Sequence, residues 1–250
     1  MTAATVISAL GLPADSRVDQ RVAKKLLSEN GAPTASDKRH INDGIEELVW
    51  LAALKPATIG VPAYRDATLE YLEIAVLSLT LRAGGKAARI AELIHRAIPY
   101  PVFLILTQPD GLSLSLAHLR WSRGQSGQTV LEDSLVTAAV DAGNPATPDF
   151  LASLNVTAQP RHDLRAFYQG WIGRFESYAA AGITGAFTLC ESPALYQTRR
   201  ELLAEHDRLT REIAGLRANA ARETQLNRRV DLNLQLKDLE SYLAQAASRL

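Results

Sequence analysis

The stretch LSLTLRAGGKAARIAELIHRAIPYPVFLILT, residues 77–107, decides the fold. Leu77, Leu79 and Leu81 alternate with Ser78, Thr80 and Arg82, which is the two-residue period of a strand. Ala83, Gly84 and Gly85 then turn the chain, and Ile90, Leu93, Ile94 and Ala97 recur at three-four spacing, so 86–98 is expected to be helical. Pro99 and Pro101 end that helix before 102–107, a continuous apolar run of the kind found in a strand covered on both faces. Strand, helix and strand in this order make the unit from which sheets with parallel strands are built.

Downstream, Gln108, Pro109, Asp110 and Gly111 are strong turn residues, so 112–119 is expected as a hairpin partner with Leu112, Leu114 and Leu116 on one face. A further strand is expected over 129–140, after a polar loop at 122–128. Upstream, 69–82 reads as the full extent of the first strand and 58–61 as a shorter one. Before these the pattern is helical. Residues 3–10 form a short helix, 16–29 a second with Val18, Val22, Leu26 and Leu27 on its apolar side, and a third starts from an N-cap at Ser36. That third helix carries Ile41, Ile45, Leu48 and Ala52 and runs to Lys55 and Pro56. The span 163–181 is a helix rich in large rings, with Phe167, Tyr168, Trp171 and Phe175 expected either to pack on the sheet or to clasp the next helix. The expected class is mixed α+β, with a four- to five-stranded mixed sheet and flanking helices over 1–190. Gly143, Pro145 and Pro148 mark an internal linker at 141–149.

Residues 191–250 form a separate C-terminal segment. Ser192 and Pro193 start a helix, and the only later helix breaker is Gly215, so an unbroken helix of about 58 residues would be a rod of roughly 87 Å. A rod that long requires partners. Leu202, Leu209, Ile213, Leu216 and Ala220 make one apolar seam, and Leu232, Leu236, Leu239, Leu243, Ala246 and Leu250 make another, displaced by two residues. Extending the first seam selects Val230 and Leu234, on the opposite side from the second. The segment is therefore either a rod with two partners or a hairpin folded near 221–225, and the lack of Gly and Pro at 218–225 favours the rod. A bundle is expected in place of a simple two-stranded coil.

Composition narrows the function. Twenty-seven basic and 27 acidic residues cancel, so the chain as a whole lacks the charge of a general nucleic-acid or membrane-surface binder. The first ten residues lack the charged start of a leader, and no apolar run approaches a bilayer span, which predicts a cytoplasmic protein without a membrane partner. The single cysteine, Cys190, permits no intramolecular disulfide and no cysteine-based zinc site, and is expected to be buried.

Tests for chemistry give little. Gly84, Gly85 and Lys86 after a strand resemble an anion-binding loop, but Thr80 stands where a phosphate loop has its first glycine and Ala87 where it has Ser or Thr. An ordinary turn and a weak anion site both remain open. His40, His95, His118, His162 and His206 show no metal-ligand spacing, and Ser126 lacks the glycine two residues on that a nucleophile elbow needs, so neither a metal nor a cofactor is expected. Glu70 and Glu73 are not followed by the Glu-x-Lys of a metal-dependent nuclease. Arg21, Lys24, Lys25, Lys38 and Arg39, with His40, form a basic cluster on the expected second and third helices. It reads either as solvated helix faces or as a contact for nucleic-acid phosphates or an acidic partner.

Several segments carry a resemblance: Lys24 to Leu26, Ser36 to Lys38, Glu47 to Leu51, Leu54 to Ile59, Ala97 to Pro101 and Glu223 to Asn233. Over nearly its whole length the chain resembles an uncharacterised bacterial family catalogued only as a domain of unknown function, commonly encoded beside helicases and DNA methyltransferases in restriction-like phage-defence loci. No catalytic residues come with the resemblance. It implies an accessory or assembly subunit that uses the C-terminal helix to bind itself and helicase, methyltransferase or nuclease subunits, reaching nucleic acid through the complex. The competing class is a divergent nuclease or nucleotide-binding enzyme using Glu70, Glu73 or Lys86.

Overall fold

Parallel strands cannot be joined by a tight turn, so the chain must cross over the sheet between them. The computed structural model, which describes residues 1–121, 129–132, 135–190 and 192–250, contains that crossover. In chain order the elements are α1 (Ala3–Leu10), β1 (Arg17–Arg21), α2 (Lys24–Asn30), α3 (Ala35–Gly44), β2 (Ile45–Leu54), α4 (Pro56–Ile59), β3 (Tyr64–Arg65), β4 (Glu70–Tyr71), β5 (Ile74–Leu81) and α5 (Ala87–Ala97). They continue with β6 (Val102–Gln108), β7 (Gly111–Leu116), β8 (Leu119–Trp121), β9 (Thr129–Leu131), β10 (Val136–Ala139), α6 (Thr147–Ser153), α7 (Leu164–Thr184), α8 (Pro193–Arg222) and α9 (Leu226–Ala247). They fall into two compact units, Met1–Phe175 and Glu176–Leu250.

The first unit is built on a six-stranded sheet in the order β1-β2-β5-β6-β7-β10, with β5 and β6 parallel and the other pairs antiparallel. One face of the central pair, with Leu77, Leu79, Leu81, Leu104 and Leu106, packs against Leu27, Ile41, Ile90, Leu93 and Ile94 from α2, α3 and α5. The other face meets α7. Phe103 lies edge-on to Trp171, with ring centroids 4.7 Å apart, and to Phe175 at 5.8 Å. β6 is apolar at every position from Val102 to Leu106 because both of its faces are covered. Tyr168 contributes a polar tie inside this layer: its hydroxyl accepts from the Ala117 N–H at 2.9 Å and donates to the Val102 carbonyl at 2.8 Å.

The mixed α+β class stands, but the sheet has six strands because two of them read as helix. Residues 16–29 divide into β1 and α2, and the chain after β1 stays paired to β2 through Val22 N–H and the Leu48 carbonyl at 2.9 Å. Tertiary pairing overrides a local helical pattern there. The expected helix through Ala52 ends at Gly44, its N-cap is Thr34 in place of Ser36, and the rest is β2. The cause is visible in the register. β2 has ten residues against eight in β5 and bulges twice, so Ile45, Leu48, Trp50 and Ala53 face Leu81, Leu79, Leu77 and Ala75. Bulges turn two-residue steps into three-residue steps, and these imitate helical spacing. The expected strand at 58–61 is the short helix α4, with proline in its first turn. The strand expected over 69–82 is β4 and β5, that at 129–140 is β9 and β10, and that at 112–119 ends as β7 before β8 begins. The loop containing Ser126 lies outside the described residues.

In the second unit the unbroken rod is replaced by a hairpin. Ile213, Ala220 and Leu236 are buried between α8 and α9, with Leu216, Leu232, Leu239 and Leu243 packed around them, and Arg217 pairs with Glu240 at 2.6 Å. The turn needs no glycine. Glu223 (φ −74°, ψ 126°) and Gln225 (φ −82°, ψ 119°) are ordinary extended residues, and the Glu223 carboxylate accepts the Gln225 N–H at 2.8 Å. Absence of Gly and Pro was therefore no evidence for straightness. Gly182 lies within α7, which ends before Gly185 at φ +81°. Cys190 is half-buried.

Two stability predictions follow from these contacts. Tyr168→Phe strands a buried N–H and a carbonyl and is expected to lower the unfolding free energy by about 1–3 kcal/mol, measured by urea titration. His95, 1 % exposed and 2.9 Å from Ser115 Oγ, is pushed down by burial to about 3 from 6.5. Between those values the unfolded chain takes up a proton that the folded chain refuses, so stability is complete above pH 6.5 and falls on acidification. Urea midpoints from pH 7 to pH 4 should show that loss, and His95→Gln should flatten it.

Candidate functional site

The last carbonyls of α3 lack partners within the helix and draw cations. Lys24 Nζ donates to the Asn42 carbonyl at 3.0 Å and also to that of Ile45. Arg82 Nη1 donates to the carbonyls of Asn42 and Asp43, each at 3.2 Å. Burial holds the Lys24 ammonium below its ordinary value, and repulsion from Arg82 and Arg21 adds to this, so the junction is locally positive. Beside it the β5–α5 connection runs close to the end of α3, with Arg82 N–H on the Gly44 carbonyl at 2.8 Å. A Cβ on Gly85 would come within 3.1 Å of the Arg82 carbonyl oxygen and 3.2 Å of that of Gly44, while Gly84 takes φ +80°. Turn geometry and close approach thus account for both glycines.

Between α3 and this loop lies a cleft of about 350 Å³ lined by Ser36, Arg39, His40 and Asp43 from α3 and by 83–86 from the loop. α3 is fixed in place by the fork of Arg89, whose Nε and Nη2 donate to Asp37 Oδ1 and Oδ2 at 2.7 and 2.9 Å. Asp37 also accepts from Thr34 Oγ1 at 2.7 Å. These bonds, the Arg89 ones foremost, hold the Asp37 carboxyl well below the usual carboxylate range.

The cations of the expected basic cluster separate into two groups. Arg21 pairs with Glu47 at 3.1 Å, Lys25 with Glu29 at 3.7 Å, and Lys24 is engaged by α3. Lys38 and Arg39 are exposed and have no partner among the described residues, and neither does Lys86, the N-cap residue of α5. Two separate sequence features, the basic cluster and the Gly84-Gly85-Lys86 loop, meet in one cleft through Arg39 and Lys86. His40 also lines it, its Nε2 3.4 Å from Ser36 Oγ.

The acidic candidates are placed elsewhere. Glu70 pairs with Arg65, and Glu73 with Lys55 at 3.1 Å. Glu73 precedes β5 and Lys86 follows it, so an eight-residue strand, roughly 26 Å long, runs between them. Among the described residues no group of three His, Cys, Asp or Glu could hold a metal ion. In the hairpin, Leu202, Leu209, Ile213 and Leu236 are buried, whereas Val230 and Leu234, expected in the seam, face outward with Leu226.

Sequence reasoning missed a polar chain near β4. Tyr71 Oη bonds His118 Nδ1, and His118 Nε2 lies 3.0 Å from Gln169 Oε1. Tyr71 is fully buried, and burial pushes its phenol up, so it stays protonated. The three residues are distant in sequence, and only the ring-rich pattern of α7 pointed toward them.

The family model for a domain of unknown function, DUF4391, matches residues 10–243. No curated protein and no solved structure matches the chain. Among the described residues no helix is long and apolar enough to cross a membrane.

The Asp37–Arg89 clamp gives a signed prediction. A carboxyl held below its ordinary value of 3.8 stabilises the fold above that pH, and the contribution is lost as pH falls through the folded-state value. Asp37→Asn should lower Tm at pH 7, and the difference from the parent protein should shrink below pH 4 in thermal melts.

Proposed function

The chain belongs to the DUF4391 family, a domain of unknown function, and from that premise we propose that it is a cytoplasmic, non-catalytic accessory subunit of a restriction-like, anti-phage DNA-targeting complex, docking through its C-terminal hairpin. The observation that carries this reading is the outer face of α9. Leu226, Val230 and Leu234 are 64, 47 and 59 % exposed, and they follow one another at four-residue spacing along the helix. The seam buried against α8 uses Leu232, Leu236, Leu239 and Leu243 instead. Large apolar side chains grouped on a surface mark interaction sites, and anchors at i, i+4 and i+8 suit a helix laid in a partner's groove.

Three side chains alone cover less than the roughly 1,200–2,000 Å² that a stable protein–protein interface buries, so they act as anchors within a larger contact. The occupant in this reading is a helicase, methyltransferase or nuclease subunit whose groove receives the helix. The placement of Glu70, Glu73 and Lys86 lends no support to a catalytic set, since the two carboxylates sit in ion pairs and the lysine lies at the other end of β5.

The test is a Leu226→Gln, Val230→Gln, Leu234→Gln variant, which leaves the buried seam intact. Native mass measurement after capture from the host should show the parent protein with helicase or methyltransferase subunits and the variant alone. Phage resistance should fall with it. Retention of both association and resistance would overturn the reading, and so would a doubled mass without other subunits.

A further inference from the structure

In the first unit, cations without a carboxylate that meet in one cleft call for an anion. Arg21, Lys25, Arg89 and Arg96 each have a carboxylate, and Lys24 and Arg82 are occupied by the carbonyls that end α3. Arg39 and Lys86 have no partner among the described residues, and they line the same cleft from different elements, together with His40. We infer that this cleft, between α3 and the 83–86 loop, is a phosphate-binding site, and that its ligand is a phosphodiester of a nucleic-acid backbone.

The lining supports phosphate over larger ligands. It contains no apolar side chain bigger than alanine and no aromatic ring apart from His40, whereas sites for organic ligands are mostly apolar. A base or sugar would find no wall to pack on. Asp43 is the single acidic residue in the lining, and it stands beside Lys24 and Arg82, whose positive charges offset it. Gly84 and Gly85 contribute no side chains to the lining, so a phosphate can approach their backbone. Contacts of this kind position a nucleic acid without reading its sequence. The inference does not rest on the hairpin, so failure of either leaves the other standing.

The full-length protein is titrated into a fluorescent duplex of about 20 bp between roughly 50 and 200 mM salt, with parallel calorimetry against inorganic phosphate and ATP. The Arg39→Gln, Lys86→Gln variant should lower the slope of log K against log salt by about two, one per lost phosphate contact. Lys25→Gln, already paired and outside the cleft, should leave the slope unchanged. If the duplex slope is unaffected but the variant loses binding of inorganic phosphate or ATP seen with the parent protein, the phosphate chemistry holds and its source is a free phosphate. If the variant matches the parent protein in both assays, the inference is wrong.

Discussion

The parallel pairing of β5 with β6 constrains everything around it. Such a pair requires a crossover, α5 makes it, and α5 covers one face of the sheet. An open second face on strands as apolar as Val102 to Leu106 would leave them in water, so a second layer has to follow. α7 supplies that layer, with Trp171 and Phe175 against Phe103 and the Tyr168 hydroxyl on the Val102 carbonyl. The antiparallel pairing of β5 with β2, Ile45 opposite Leu81, puts the end of β5 beside the end of α3, where the chain must leave the sheet to begin its crossover. The cleft is a by-product of that geometry, lined by α3 on one side and by residues 83–86 on the other.

Charge at this junction is arranged in two tiers. Lys24 and Arg82 satisfy carbonyls that α3 cannot satisfy itself, and Arg89 holds the start of the same helix through Asp37. These cations are consumed by the fold. Arg39 and Lys86 line the adjoining cleft and have no such duty in the fold. Such a division allows the outer pair to change without loss of the fold, whereas the inner set cannot.

Much of the central unit was legible in the sequence, because alternation at Leu77 to Leu81, three-four spacing at Ile90 to Ala97 and the turn at Pro109 to Gly111 each have one structural solution. β2 was illegible for a specific reason. Its first bulge sets Ile45 and Leu48 three residues apart, which with Ile41 before them and Ala52 after them imitates a helix, and a bulge is decided by the partner strand, not by the residues that bulge. The cleft was half legible: the basic cluster and the glycine-lysine loop each stood out, but their meeting joins residues 39 and 86, a distance no local pattern spans. The Tyr71, His118 and Gln169 chain left no trace for the same reason.

The turn between α8 and α9 has one more consequence, which concerns entropy. Glu223, Thr224 and Gln225 are not glycines, so the unfolded chain has fewer conformations at this point to give up. Closing the hairpin therefore costs less ordering free energy than a glycine turn of equal length would, by about 0.4–1 kcal/mol for each position where a glycine is avoided without strain. The apolar seam of Ile213, Ala220 and Leu236, with Leu216, Leu232, Leu239 and Leu243 around them, has correspondingly less ordering free energy to offset.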